Sequence, residues 1–462
     1  MTESGDWRNG LRPKIADEIE YIQSAFRDPP RREHADPPGG KEIIAVATSE
    51  GGLDYMYVEG EILVRDEYFD RVLEILGHPP RRELEQAEPS PIGRVIAGVS
   101  LLTALGRHST TLGALTAIDE QLGRGIATPN HVMTVCPGQG TSCPATEPEE
   151  VYDDIEPYPS VCPAGGGAGV LIYLADTGLL RDATAHSWLA GVQMGDPAED
   201  ADPLSPLQGD PPVIPPYTGH GTFVAGVTRC MAPSAEIIVT NAFSVAGSVL
   251  EADLVPRLEA ALSLGVDIFH LTVACLSRYD LPLVAFLEWL RRLRHYGGTV
   301  CVAAAGNSGF RRPTWPAAFS EVLSVGALGG DWRGRASFSN FGGWVDVYAP
   351  GRDLINAYAT GTYECHVSPY AEQHEVRHFY GMAKWSGTSF STPIVTGLIA
   401  SRMSRTGENA QQAAAALLAE ARHHAIPGVG AVLLPSCHDG TSTACRDVPC
   451  CGHEPRPACH RP

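Results

Sequence analysis

Four polar residues stand where glycine-flanked turns interrupt apolar runs, and together they could carry out nucleophilic acyl transfer. Asp176 follows the run Val170-Leu171-Ile172-Tyr173-Leu174-Ala175 and precedes Thr177-Gly178. His220 opens His220-Gly221-Thr222-Phe223-Val224-Ala225-Gly226, and Ser389 sits in Gly387-Thr388-Ser389-Phe390-Ser391-Thr392-Pro393. A serine hydroxyl is a weak nucleophile until a neighbouring base takes its proton. An imidazole can be that base near neutral pH, and a carboxylate fixes its tautomer and stabilises the imidazolium. Asn307, in Ala304-Ala305-Gly306-Asn307-Ser308-Gly309, could donate an amide N–H to a developing oxyanion. Each residue also has a plainer reading: a strand-end turn for Asp176, a helix cap for His220, a helix-terminus hydroxyl for Ser389, a turn for Asn307.

The elements that would position these residues are legible as alternating apolar strands and helices. The run at 170–175 reads as a strand buried on both faces. A helix over Thr222 to Val227, strands near 237–239, 266–274 and 299–305, and helices over 252–263 and 281–294 follow. Repeated passes of this kind predict a doubly wound, mostly parallel α/β sheet, whose ligands bind outside the carboxyl ends of its strands. The apolar run from Ile394 to Ala400 reads as a buried helix, and Pro393 is tolerated near its start. Ser389 would then face the positive end of a helix dipole.

Upstream, Ile15 to Phe26 reads as a short helix in an N-terminal extension, 1–42, broken by Pro and Gly clusters. Residues 43–135 predict a small α+β domain: strands at 43–47, 61–65, 95–101 and 131–135, with helices at 66–76 and 113–121. The acidic, proline-rich stretch 136–168 reads as an exposed linker, the main domain runs from 169 to 434, and a Cys/His-rich tail occupies 435–462. An excursion over 354–384, rich in tyrosine and histidine, is expected near the mouth of the cleft.

Composition narrows the classes. The 462 residues carry 54 acidic and 34 basic side chains, a formal charge of −20, which argues against unspecific binding to nucleic acid or an anionic membrane. No apolar run reaches the roughly 18 residues of a membrane span, and the stretch from Met1 to Asp6 lacks a secretory pattern. The expected location is cytoplasmic, with secretion left open. Cys136, Cys143 and Cys162 fall in the linker; Cys230, Cys275, Cys301 and Cys365 read as buried small hydrophobes. In the tail, Cys437, His438, Cys445, Cys450, Cys451, His453, Cys459 and His460 could bind zinc, pair as disulfides or remain free.

The three motifs around Asp176, His220 and Ser389 resemble those of the subtilisin-like serine proteases, and they occur in that family's order Asp, His, Ser. The resemblance covers roughly 169–420, and Asn307 lies in a segment similar to the family's oxyanion-hole asparagine. It implies a subtilisin-like fold and a serine endopeptidase that acts on an extended protein or peptide substrate and needs no cofactor for its chemistry. It further implies that 43–135 is a prodomain or regulatory domain in contact with the cleft, with maturation in the linker. Structural calcium is common in the family, and Asp196, Glu199, Asp200 and Asp202 are the candidate ligands. The chain departs from the family at the substrate edge His270, Thr272, Val273, Ala274 and Cys275. There His270 stands in place of an asparagine, and Ala274 and Cys275 in place of glycines. Side chains at such an edge could narrow the first specificity pocket, or could point into the core and leave it unchanged. A catalytically silent peptide-binding module of the same fold is the alternative reading.

Overall fold

The computed structural model describes residues 13–28, 40–135, 145–152, 155–162, 166–202, 212–243, 246–366 and 370–435. The N-terminal part contains α1 (Pro13–Arg27), β1 (Ile43–Ala47), β2 (Leu53–Arg65), α2 (Phe69–Leu76), α3 (Arg81–Glu85), β3 (Ile92–Ile96), β4 (Val99–Leu102), α4 (Thr111–Leu122) and β5 (Ala127–Val135). The run 95–101, expected as one strand, is instead a hairpin. Ala97-Gly98 turns between β3 and β4, with Gly98 at φ +100°, a conformation that favours glycine.

The main part continues with β6 (Leu171–Asp176), β7 (Gln193–Met194), α5 (His220–Met231), β8 (Glu236–Asn241), β9 (Ser248–Leu250), α6 (Glu251–Ala261), β10 (Ile268–Leu271), β11 (Val273–Ala274) and α7 (Val284–Leu293). It ends with β12 (Val300–Ala304), β13 (Val322–Leu328), β14 (Val347–Pro350), β15 (Leu354–Glu364), β16 (Val376–Trp385), α8 (Thr388–Thr406) and α9 (Ala410–His423). Seven strands form a parallel sheet in the order β14-β13-β12-β10-β6-β8-β7. The chain runs from β6 to β8 on one side and returns to β10 on the other. This reversal of strand order is where α/β sheets open a crevice at their carboxyl ends.

Period-two alternation assigns the faces. Ile172 and Leu174 of β6 join one core with α5, α8 and α9, whereas Tyr173 and Ala175 join a second core with α6 and α7. On β10, Phe269 and Leu271 enter the second core, so the intervening His270 faces the first.

The N-terminal strands form a sheet in the order β11-β5-β2-β4-β3, to which β1 adds on β2 and β9 on β5. Ile62 and Val64 of β2 pack against α2 and α4, while Leu63 turns the other way, with Val95, Ile96 and Val99, onto the layer of α6 and α7. Ile15, Ile19 and Ile22 of α1, one helical face, pack on β1 and β2 and also on Ala246 and Leu250 of the main part. Tyr21 stacks on Tyr217 at a ring separation of 6.5 Å.

The described part of the stretch read as an exposed linker is docked instead. Tyr158 exchanges both backbone hydrogen bonds with Ile355 (2.8 and 3.0 Å), Trp385 Nε1 donates to the Thr146 carbonyl at 2.7 Å, and Glu147 is buried, accepting from Tyr363 Oη and the His366 N–H. Prolines spaced along this stretch lack only their own N–H, so the residues between them still pair with a strand edge. The aromatic excursion is likewise regular: β15 and β16 form an antiparallel hairpin that buries Tyr358, Tyr363, Phe379 and Trp385. Cys136, Cys143 and the Cys/His-rich tail lie outside the described residues. Among the described residues no helix is long and apolar enough to cross a membrane.

Candidate active site

Asp176, His220 and Ser389 are all fully buried. Asp176 closes β6. Its Oδ1 accepts the Thr177 N–H (2.7 Å) and His220 Nδ1–H (2.7 Å), and its Oδ2 accepts the Thr272 hydroxyl (2.6 Å). Burial pushes this carboxyl up, but the attraction of His220 and the hydrogen bonds from His220, Thr272 and Thr177 outweigh it and hold the group below its ordinary value.

His220 is the first residue of α5. The preceding Gly219 has φ +84°, and a Cβ there would come within 2.8 Å of the Tyr358 ring; a Cβ on Gly221 would lie 2.3 Å from the Gly178 carbonyl oxygen. The two glycines therefore allow the helix start to approach β6 closely enough for the pair to form. The His220 ring is boxed by Trp385 (5.6 Å, edge to face) and Phe390 (5.3 Å).

Ser389 is the second residue of α8, directly after the extended Gly387 cap. Among the described residues neither Ser389 Oγ nor His220 Nε2 has a hydrogen-bond partner, although both are buried. Nucleophile–base bonds are often long or misaligned in unliganded sites. Asn307 lies beside the same helix start. Its Oδ1 accepts the Thr388 N–H and the Thr388 hydroxyl, both at 2.9 Å, and Thr388 Oγ1 accepts the Gly306 N–H at 3.1 Å. With its carbonyl oxygen fixed in this way, the orientation of the Asn307 amide is set by the start of α8.

The residues expected at the substrate edge separate into three groups. Val273 and Ala274 form β11 and pair antiparallel with Val135 and Thr134 of β5, whose Val132, Met133 and Thr134 pair on the other side with β9. Ala274 and Ala304 form a two-residue apolar cluster. Thr272 turns inward to Asp176. His270 and Cys275 are not edge side chains: His270 Nδ1 lies 2.8 Å from Thr396 Oγ1 on α8, and Cys275 exchanges backbone hydrogen bonds with Trp315 (2.8 and 2.9 Å) inside the core. Burial lowers His270 to about 3 and raises the Cys275 thiol well above its ordinary value.

The candidate calcium ligands do not converge. Asp200 accepts the Asp196 and Asn241 N–H groups, and Asp202 accepts the Gly219 N–H and the Thr177 hydroxyl. Both Asp200 oxygens and Asp202 Oδ2 therefore accept hydrogen bonds from the protein. Among the described residues no group of three or more His, Cys, Asp or Glu could hold a metal ion. Sequence reasoning missed the partners of the site. Thr272 as a donor to Asp176, Trp385 as a wall for His220, and β9 as a pairing strand are set by tertiary contact and carry no local motif.

An acid–imidazole pair and a helix-terminal serine thus stand at the carboxyl end of a parallel sheet. The family model described as the subtilase family matches residues 167–431, and the chain belongs to that family. It is 31% identical over 192 residues to a thermophilic serine proteinase from Bacillus sp. (strain AK1), covering 39% of this chain and 41% of that protein. It is 29% identical over 243 residues to halolysin from Haloferax mediterranei, covering 50% and 41%. With thermitase from Thermoactinomyces vulgaris it shares 28% over 262 residues, covering 54% and 80%. The chain thus spans about two fifths of the length of the first two relatives. A crystal structure of a cold adapted subtilisin-like serine proteinase aligns with a TM-score of 0.44 and 21% identity, over 59% of this chain and 90% of that one.

Proposed function

We propose that the chain is a serine endopeptidase that cleaves an extended segment of a protein or peptide through Asp176, His220 and Ser389. His220 Nε2 takes the Ser389 proton as Oγ attacks the substrate carbonyl, and Asp176 stabilises the resulting imidazolium through Nδ1. The Asn307 amide and the Ser389 backbone N–H receive the oxyanion. His220 then returns the proton to the leaving amine, and water activated by the same imidazole releases the acyl group. One observation carries this reading: the buried 2.7 Å Asp176–His220 bond, with His220 Nε2 and Ser389 Oγ both buried and without partners. The relative from Bacillus sp. (strain AK1) is a thermophilic serine proteinase, which supports the same chemistry.

β5 supports the substrate geometry. It lies antiparallel between β9 and β11, as an extended peptide would, and on this reading the 43–135 unit regulates access to the cleft. Persistent occupation by β5 is also what favours the second reading, a silent peptide-binding module. Labelling with a serine-directed phosphonate separates the two. Labelled wild type and unlabelled Ser389→Ala support the enzyme; a folded protein that stays unlabelled even with residues 1–165 removed supports the module.

A further inference from the structure

Asp202 is buried to 5% exposure beneath the turn that carries His220, outside the three motifs and 17 residues before Gly219. A single oxygen, Oδ2, accepts the Gly219 N–H at 2.7 Å and the Thr177 hydroxyl at 2.9 Å, and the Thr218 side chain adds a further donor. Thr177 is a hub: its oxygen accepts the Gly221 N–H at 3.0 Å while its own N–H holds Asp176 Oδ1 at 2.7 Å. The backbone donors on both sides of His220 therefore end on Asp202, one directly and one through Thr177, and the same threonine fixes the triad carboxylate. Gly219, the α5 cap residue, has no side chain with which to accept the Gly221 N–H, so the Thr177 hydroxyl caps the helix instead and in turn donates to Asp202.

The loop that delivers it is tightly set. The Asp202 N–H donates to the Leu179 carbonyl at 3.0 Å and the Leu179 N–H to the Asp200 carbonyl at 3.1 Å. Gly178, at φ +96°, lets the two segments meet, since a Cβ there would lie 2.5 Å from the Asp200 carbonyl oxygen.

We propose that Asp202 is a positioning residue for catalysis, setting the spacing between Asp176 and His220 by holding the Gly219–Gly221 turn and Thr177 together. The proposal rests on the serine-protease reading for its kinetic consequence and on geometry alone for its structural one. Burial raises the Asp202 carboxyl well above its ordinary value, and Asp176 adds to that shift.

The test uses the full chain with Asp202→Ala and Asp202→Asn, the latter keeping the volume and one acceptor oxygen. Two readouts are followed on folded protein: the rate of phosphonate labelling at Ser389, and the low-field proton NMR resonance of His220 Nδ1–H, which needs no catalysis. Misplacement of a reacting group by about 1 Å costs on the order of 10²-fold, so Asp202→Ala should label about 10²-fold more slowly and shift or broaden the His220 resonance. Asp202→Asn should recover a large part of both. An unlabelled wild type combined with a resonance that moves in Asp202→Ala would defeat the enzyme reading while supporting the positioning role. A folded Asp202→Ala or Asp202→Asn with an unmoved resonance and an unchanged labelling rate would overturn the proposal, even if its melting temperature fell.

Discussion

Replacing His270 by asparagine should flatten the acid side of the protein's stability curve. His270 is fully buried on β10, with Nδ1 against Thr396 Oγ1 and Nε2 without a partner, and burial lowers it from 6.5 to about 3. Asp176 acts to raise it and His220 to lower it further. The sign follows from linkage. Between these two values the unfolded chain binds a proton at His270 that the folded chain does not, so this contribution is fully present above pH 6.5 and is lost as pH falls toward about 3. One pH unit in that window is worth about 1.4 kcal/mol. Integrated from about pH 7 to about pH 4, the loss is about 3 kcal/mol. The assay is urea unfolding at several pH values, with parent and His270→Asn both carrying Ser389→Ala to prevent self-digestion. The lost Thr396 contact lowers the variant by a constant amount, whereas the difference between the curves should narrow by about 3 kcal/mol on acidification. Asp176, held low in both proteins, affects the two curves alike. Parallel curves across this range would refute the buried neutral imidazole.

Two substitutions in the cleft test the neighbours of the triad. Thr272→Val removes the hydroxyl that donates to Asp176 Oδ2 at 2.6 Å while keeping its shape. A hydrogen bond to a charged group contributes about 1.5–3 kcal/mol, so kcat/KM on a peptide substrate should fall roughly 10- to 100-fold; an unchanged value would remove Thr272 from the site. Ala274→Gly removes one methyl from the Ala274–Ala304 contact. A peptide-library digest should then shift toward bulkier residues before the cleaved bond by about tenfold, and an unaltered profile would mean that this contact is no wall of the pocket.

The pairing of Asp176 with His220 and the helix-terminal place of Ser389 were legible because each motif is local: a polar residue, its glycine turn and an apolar run occupy a handful of consecutive positions. The parallel sheet was legible for the same reason, since Val170 to Ala175 is apolar on both faces. Facing was harder. His270 looks like an edge residue beside Thr272 to Cys275, and only the register of β10 between β6 and β12 turns it toward α8. The β3–β4 turn was hidden because Ala97-Gly98 is a two-residue interruption inside an apolar run. The docking of 145–162 was hidden because proline spacing describes what a segment cannot do alone, not which strand edge it meets. Burial of the triad was not readable at all, for it depends on elements far apart in the chain.

The ladder in which β5 lies between β9 and β11 has a thermodynamic consequence for any incoming peptide. A substrate that takes this place would exchange one set of strand hydrogen bonds for another, so the backbone terms nearly cancel and give the newcomer little advantage. The balance shifts to what β5 brings with it: the apolar faces of β2 to β4 on α6 and α7, α1 on Ala246 and Leu250, and the partly buried Arg278–Asp119 ion pair at 2.7 Å. Competition at the cleft is therefore governed by side chains far from Ser389. It should respond to temperature and denaturant as burial of apolar surface does, more than to the sequence of the competing peptide.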